Sequence, residues 1–375
     1  MSKSNFILKN LILSISSVFL FLLIIEIILR LIGFTAENKQ KKYPNQLFRM
    51  GYLLKEVDPT VFGHYDKDRY LFWKLQLNSS EEVNSKRYRG VKRDYKKPAG
   101  IYRIILIGDS CAYGLMVRNS DTYAYLLEKK LNNDSFRKRF EVLNMGVPGY
   151  SSLQGVRYLK GEVIKYHPDM VLVGFGFNDL CDAVNKTDKE IETSPDWMIF
   201  LDNYLSKTRF YVFLKNVLYA FKERLIGKSF RSFNNVDNNR YSDLEDIDDL
   251  PTLIQAQGRQ EAPPLRSALP RVLPGDYAEN IKEMIKVSNE YKFKLVLLTL
   301  PSINGCFGYG KMLKLLSREY HVGIIDLIGE FKMKVANNQE YFVDNNHYNE
   351  KGHMLVADII ESYIKNLKLI GFLSK

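Results

Sequence analysis

Five short apolar runs punctuate the chain between residues 104 and 327, each bounded by turn-forming or polar residues. The first, Ile104-Ile-Leu-Ile, ends abruptly in Gly108-Asp-Ser110. The others are Glu141 to Met145, Met170 to Phe175, Lys294 to Leu300 and Val322 to Leu327. Runs this short, rich in Ile, Val and Leu, predict strands buried on both faces. Between them, apolar residues recur at helical spacing over Thr122 to Asn132, Ser152 to Tyr166, Tyr277 to Tyr291, Lys311 to Tyr320 and Asn349 to Leu367. Strands alternating with helices predict an α/β fold whose parallel sheet is covered by helices on both sides.

Three stretches depart from this rhythm. Leu11 to Leu29 is almost wholly apolar, with Glu26 its only charge, and is long enough to cross a bilayer. A cleaved signal peptide has a shorter apolar region and a small-x-small site, which Phe34 and Ala36 match poorly, so residues 1–34 predict an uncleaved anchor. Glu26 and Arg30 are four apart and can pair on one helical face near the interface. Residues 35–100, rich in Lys, Tyr and Asp without sustained periodicity, read as an extended stalk or cover. Leu180 to Pro274 has no clear strand and carries an Asn-rich patch, an acidic run and Pro263, Pro264, Pro270 and Pro274. It reads as an insertion over one end of the sheet, with a helix packed there over Tyr204 to Phe221. An EF-hand loop starting at Asp243 would need Gly at 248 and Glu at 254; Asp248 and Ile254 stand there, so Asp243 to Asp249 reads as a solvated loop.

A chain of 375 residues with 46% hydrophobic positions can bury one large core or two modest ones. The net charge of +11 comes from scattered Lys and Arg, with no recognition helix or aromatic stacking pattern beside them. It therefore implies no nucleic-acid partner, and suits acidic envelope polymers or lipid headgroups. Lys3 and Lys9 precede the apolar run while Arg30, Lys39, Lys41 and Lys42 follow it. Counted literally, these charges put the large domain in the cytoplasm, although the rule weakens for long translocated domains. Cys111, Cys181 and Cys306 have no spacing that fits a disulfide framework or a zinc site.

Candidate chemistry collects where the predicted strands end. Ser110 sits just past the first strand, at the sheet edge where open α/β folds bind ligands, and is the candidate nucleophile; a plain turn with Asp109 or Ser110 as N-cap is the alternative. Asn144-Met-Gly-Val-Pro-Gly-Tyr-Ser-Ser152 follows the second strand, and its glycines either present backbone N–H groups to that edge or simply make a turn. Gly176-Phe-Asn-Asp179 follows the third, where Asn178 can donate to a developing oxyanion or form an Asx-turn. Asp179 is expected to accept backbone N–H groups of the turn that follows it. In Asp344-Asn-Asn-His347, an acid three residues before a histidine can set its tautomer, leaving the other ring nitrogen to take a serine proton. His64, His167 and His321 lie outside such a setting, and His353, one turn into the last helix, reads as structural.

These four stretches, in this order, resemble the SGNH (GDSL-type) hydrolase superfamily over roughly residues 100 to 370. The signature residues fall on Ser110, Gly149, Asn178 and His347. Asn84 to Gly90, Arg271 to Asn280, and the anchor with Glu26 and Arg30 also resemble a membrane-anchored bacterial branch. The resemblance implies a flavodoxin-like three-layer α/β/α sandwich over residues 101–375, with an insertion at about 180–274 and one N-terminal transmembrane helix. It implies a catalytic domain outside the cytoplasmic membrane, which outweighs the charge count. It also implies Ser110 as nucleophile, His347 as base and then acid, Asp344 orienting His347, and an oxyanion hole of the Ser110 and Gly149 N–H groups with the Asn178 side chain. No metal or organic cofactor is implied. Two departures stand out: Cys111 follows the nucleophile, a thiol that either packs or makes activity sensitive to oxidation, and Tyr348 stands where many relatives have Pro.

The leading expectation is a membrane-anchored ester hydrolase acting on acyl or acetyl esters of envelope glycans or lipids. An acyltransferase would use the same residues with a sugar hydroxyl in place of water. A catalytically silent polymer-binding protein would keep only the fold. Neither the specific ester nor the oligomeric state is legible in the chain.

Overall fold

A computed structural model describes residues 3–34, 65–77, 82–133, 139–181, 183, 186–226, 248–261, 269–303, 305–306 and 309–367. Two compact units divide the chain: one takes the residues up to Arg69 together with Ser194–Arg231, the other Tyr70–Thr193 and Ser232–Lys375. Residues 35–64 of the expected stalk, Asp243 to Ile247 of the acidic run, and Pro263 and Pro264 lie outside the described residues.

The first unit holds the apolar helix α1 (Lys3–Leu31). Its segment Lys9–Leu31 is long and apolar enough to cross a membrane and is not buried inside the unit.

The larger unit is built on five parallel strands: β1 (Ile101–Gly108), β2 (Arg139–Asn144), β3 (Met170–Gly174), β4 (Lys294–Leu298) and β5 (Gly323–Ile325). Their order across the sheet is β2-β1-β3-β4-β5. β1 is central to the nucleophile region, with Ile104 opposite Val142 on one side and Met170 on the other. Ile104, Ile105, Leu106 and Ile107 are all buried, as a strand covered on both faces requires.

Alternation along the strands sends side chains to two layers. Ile104, Leu106, Met170, Leu172, Val296 and Leu298 pack under α3 (Tyr123–Asn133), α10 (Leu327–Lys334) and α11 (Glu350–Asn366). The opposite face is covered by α4 (Ser152–Gly161) and α8 (Pro274–Tyr291), with α7 (Leu250–Glu261) and α9 (Gly310–Glu319) packed on α8. The four-residue α2 (Ser110–Tyr113) starts immediately after β1. The three-layer arrangement with a parallel sheet is thus the one the apolar runs imply. The predicted helix over Ser152 to Tyr166 ends as an α-helix at Gly161 and continues as a 3₁₀ turn over Val163–Tyr166.

Two further helices, α5 (Asp196–Leu205) and α6 (Arg209–Ile226), occupy the stretch in which one helix over Tyr204 to Phe221 was expected on the sheet. Residues 206–208 separate them, and α6 packs against α1 within the first unit. The reason is Glu26: its carboxylate accepts the N–H groups of Arg209 at 3.0 Å and Phe210 at 2.8 Å, satisfying two donors that the start of α6 cannot bond internally.

Within the larger unit, residues 82–100 pack beside the start of the sheet. Arg103 on β1 is 1% exposed and donates to Glu141 Oε2 and to the carbonyls of Asp94, Tyr95 and Tyr166. One guanidinium therefore fastens this segment and the loop before β3 to the start of the sheet. Among the described residues, Arg103→Met leaves Glu141 buried beside only the more distant Arg93 guanidinium, 3.7 Å away. It is expected to destabilise the protein by about 3–5 kcal/mol, read as a lower urea midpoint of the full chain in detergent. An unchanged midpoint would show that the network is not needed for stability.

Candidate active site

Gly108, Asp109 and Ser110 turn the chain from β1 into α2. A Cβ on Gly108 would lie 2.6 Å from Gly174 O and 2.7 Å from Ala112 Cβ, so only glycine fits between the neighbouring strand and the helix. Asp109 is the N-cap, accepting from Cys111 N at 2.8 Å. Burial pushes the Asp109 carboxyl up to about 6, against the hydrogen bonds from Cys111 and the nearby His347.

His347 reaches this turn from the loop before α11. Its Nε2 lies 2.8 Å from Ser110 Oγ, and its Nδ1 lies 2.8 Å from Asp344 Oδ2 and 2.9 Å from Oδ1. The three-residue spacing works because Asp344 Oδ1 also accepts the N–H groups of Asn346 and His347, closing a tight local turn under the imidazole. Burial raises the Asp344 carboxyl, but the hydrogen bonds and charge of His347 outweigh it and hold the group at about 2. Asp344 is therefore ionised at neutral pH and accepts from Nδ1–H, leaving Nε2 as the basic nitrogen facing Ser110.

Tyr348 is buried among Phe331, Phe342 and His353. With Val343 N donating to His347 O at 2.8 Å, this packing anchors the histidine loop. Cys111 is buried, donates its thiol to Asn346 O at 3.2 Å, and is pushed well above the usual thiol range by burial. It ties the two loops together and is not a reactive thiolate. His353 is also buried; Tyr123 N donates to its Nδ1 at 3.2 Å and burial lowers it to about 3, so it stays neutral and structural.

Gly149 and Asn178 gather at the same edge. Asn178 Nδ2 donates to Tyr150 O at 3.0 Å, with a longer contact of 3.4 Å to Asp109 Oδ2. Gly149 has φ +83°, and a Cβ there would come 2.9 Å from the Trp73 ring. The Gly149 loop is clamped on every side: Trp73 Nε1 donates to Pro148 O, Tyr150 Oη donates to Trp73 O, and Arg271 Nη1 donates to Gly149 O at 2.8 Å. Arg271 is itself held by both oxygens of Asp188 and by Gln154 Oε1. Arg89 does the same for the other loop, donating to Tyr113 O and Gly114 O. Trp73, Arg89, Asp188 and Arg271 were not singled out for these contacts in sequence, although Arg89 and Arg271 fall in the stretches that resemble the anchored branch. No local pattern announces which carbonyl a distant arginine will hold.

Asp179 corrects an expectation. Its Oδ1 accepts from Ser152 N at 2.9 Å and from Ser152 Oγ, at the start of α4, not from the turn that follows it. The wider reach follows from β3 and α4 meeting at one edge. Asn280 Nδ2 donates in turn to Ser152 Oγ at 2.9 Å. Among the described residues Asp179 Oδ2 has no hydrogen-bond partner, and burial pushes the carboxyl up to about 7. The described residues contain no group of His, Cys, Asp and Glu that could hold a metal ion.

A family model described as GDSL-like Lipase/Acylhydrolase matches residues 104–360. The chain matches no curated protein sequence. Among solved structures it is similar to the lipase/acylhydrolase from Enterococcus faecalis, at 17% identity over 70% of this chain and 95% of that one, with a TM-score of 0.39. An α/β hydrolase from the metagenome of Lake Arreo, Spain, is 16% identical over 73% of this chain and 98% of its own, with a TM-score of 0.44. A catalytic mutant of an acetylxylan esterase from Geobacillus stearothermophilus is 15% identical over 70% and 94%, with a TM-score of 0.42. Likenesses this remote do not carry a substrate from those proteins to this one.

The raised Asp179 carboxyl has a consequence for stability. Folded, it keeps its proton up to about 7; unfolded, it ionises near about 3.9. The stability it contributes is therefore full below about pH 4 and is lost as pH rises towards 7. Asp109 adds to the same decline over its lower part. Asp179→Asn, which cannot ionise, is expected to flatten the upper part of that decline in urea unfolding of the full chain. A pH slope identical to the parent's between about 4 and 7 would exclude a neutral Asp179.

Proposed function

Because the chain belongs to the GDSL-like lipase/acylhydrolase family, and is a carboxylic-ester hydrolase, we propose that it works as a serine esterase with Ser110, His347 and Asp344 as its catalytic triad. The observation that supports this reading is the continuous relay from Asp344 through His347 to Ser110, with 2.8 Å at each link. Ser110 Oγ attacks the ester carbonyl carbon while His347 Nε2 takes its proton, and ionised Asp344 stabilises the imidazolium. The carbonyl oxygen becomes an oxyanion facing the N–H of Ser110, which has no intrahelical acceptor at the start of α2, the N–H of Gly149, and Asn178 Nδ2. For Asn178, the long contact to Asp109 is the one the oxyanion displaces; the shorter bond to Tyr150 O keeps the amide aimed. Collapse expels the alcohol with the proton from His347, leaving an acyl-Ser110 ester. Water then attacks, giving its proton to His347, and the acid leaves as Ser110 is restored.

The same reading places the enzyme at a membrane through α1, with the larger unit outside the cytoplasm and acyl or acetyl esters of envelope glycans or lipids as substrates. Its supports are the apolar span Lys9–Leu31 and the resemblance to an anchored branch.

A fluorophosphonate probe is expected to label the full-length protein and to leave Ser110→Ala unlabelled and inactive on soluble esters, with an unchanged melting curve. Label on another residue, or activity in a folded Ser110→Ala protein, would remove Ser110 from its role.

Asn178 and Ser110 are separable by kinetics. An oxyanion donor acts as charge develops, so Asn178→Ala is expected to lower kcat by about 10²- to 10³-fold with KM little changed. A raised KM at constant kcat would make Asn178 a substrate-binding residue instead.

A further inference from the structure

In the first unit, the helices α5 and α6 each turn an apolar face outward. On α5, Trp197, Met198, Phe200, Leu201 and Tyr204 share one helical face and all are exposed, Trp197 by 67% and Phe200 by 72%. On α6 the positions Phe213, Leu214, Val217, Leu218 and Phe221 repeat the pattern, and they too are exposed. Polar side chains are turned inward beside the buried Val212, while Asp196 at the start of α5 stays exposed. Asn203 exchanges two hydrogen bonds with the backbone of Lys67, at 2.7 and 2.9 Å, and Asp202 pairs with Lys215 at 2.7 Å and with Lys67. A helical pair in water buries its apolar face and shows its polar one; contiguous apolar faces of this kind mark contact with a partner or a membrane.

The same unit says which. Glu26 lies in the last turns of the apolar span, pairs with Arg30 at 2.9 Å, and caps the start of α6 through the N–H groups of Arg209 and Phe210. Phe34, just past the end of α1, packs edge-on against Phe213 at 5.7 Å between ring centroids. α6 is therefore fastened to the end of the span at the level of its charged pair, and a charged pair on a spanning helix lies at the membrane–water boundary rather than in the hydrocarbon. The exposed face of α6 thus starts beside the apolar surface of α1, and α5 is tied to α6 through Asp202 and Lys215. Trp and Tyr among the exposed residues are those favoured at headgroup level. Lys207, exposed in the turn between α5 and α6, and Arg30 supply positive charge to that boundary.

We infer that the apolar faces of α5 and α6 form a second membrane contact, an interfacial platform that lies in the headgroup region of the lipid leaflet where α1 ends. Such helices bind by burying an apolar face about 5–10 Å into the boundary while charged residues stay with the headgroups. Glu26 then has a structural duty beyond pairing with Arg30: it holds the platform at the depth of the helix end. The inference rests on the reading of α1 as a membrane anchor.

The chain carries its own reporter, because it has only two tryptophans and Trp73 is buried in the Gly149 clamp, at 2% exposure. The full chain is reconstituted into vesicles of phosphatidylglycerol with phosphatidylcholine brominated on the upper acyl chain, and floated on a density gradient. The Trp197 signal is the difference between the parent and Trp197→Phe. The platform predicts a blue-shifted Trp197 emission that loses most of its intensity in brominated vesicles relative to unbrominated ones. Floated protein with a red-shifted, unquenched Trp197 would place the face in water and overturn the platform while leaving the anchor intact. Blue-shifted but unquenched emission would mean that a second copy of the chain covers the face, and also overturns it. Protein that does not float overturns the anchor and the platform together.

Discussion

The close approach of two glycines constrains everything at the site. Gly108 and Gly174 face each other across β1 and β3, and the backbones come so near that a Cβ on Gly108 would meet Gly174 O at 2.6 Å. With both strands ending at the same level, the segments after them leave from one edge. Ser110 starts a helix from one, and Asn178 follows the other. The Asn178 contact to Asp109, and the arrival of His347 from a segment far along the chain, both depend on that common edge. A side chain at Gly108 would push the strands apart and move Ser110 Oγ from His347 Nε2, and a hydrogen bond of 2.8 Å tolerates little such displacement.

Around this edge the protein buries more charge than a hydrophobic core needs, and the groups fall into two kinds. Arg89, Arg103 and Arg271 are satisfied: each makes several hydrogen bonds to carbonyls or carboxylates from separate loops, and each holds those loops in one arrangement. Asp109 and Asp179 are not neutralised by ion pairs, and burial raises both. The contrast matters for chemistry. Asp344, bonded to His347 and two backbone N–H groups, is held ionised, whereas Asp109 beside Ser110, raised to about 6, takes up its proton already in mildly acid solution.

The division into two compact units runs through the chain twice, because Ser194–Arg231 joins the N-terminal segment rather than the sheet. The link is electrostatic in origin. An acid in an apolar helix needs donors, and the unsatisfied N–H groups at the start of α6 provide them. The charge that interrupts the apolar run Leu11 to Leu29 is thus the one that holds the start of α6.

The five strands, most of the helices and the Asp344–His347 pair were legible in the chain itself, for a physical reason: each is encoded within a few residues. A buried strand needs only a continuous apolar run, and an acid can orient a histidine three residues away through one local turn. The placement of Ser110, Gly149 and Asn178 at one sheet edge was legible because each lies in the turn that follows a strand. What only the tertiary structure decided are the partners of buried polar groups and the faces of the inserted helices. Arg271 finds Gly149 and Asp188, and Asp179 finds Ser152, across long separations that no periodicity records. The spacing over Tyr204 to Phe221 correctly implied helix, but an apolar stripe reads the same whether it faces a core or a membrane. Its direction was set by Glu26, whose two hydrogen bonds to the start of α6 form only once the chain has folded back upon α1.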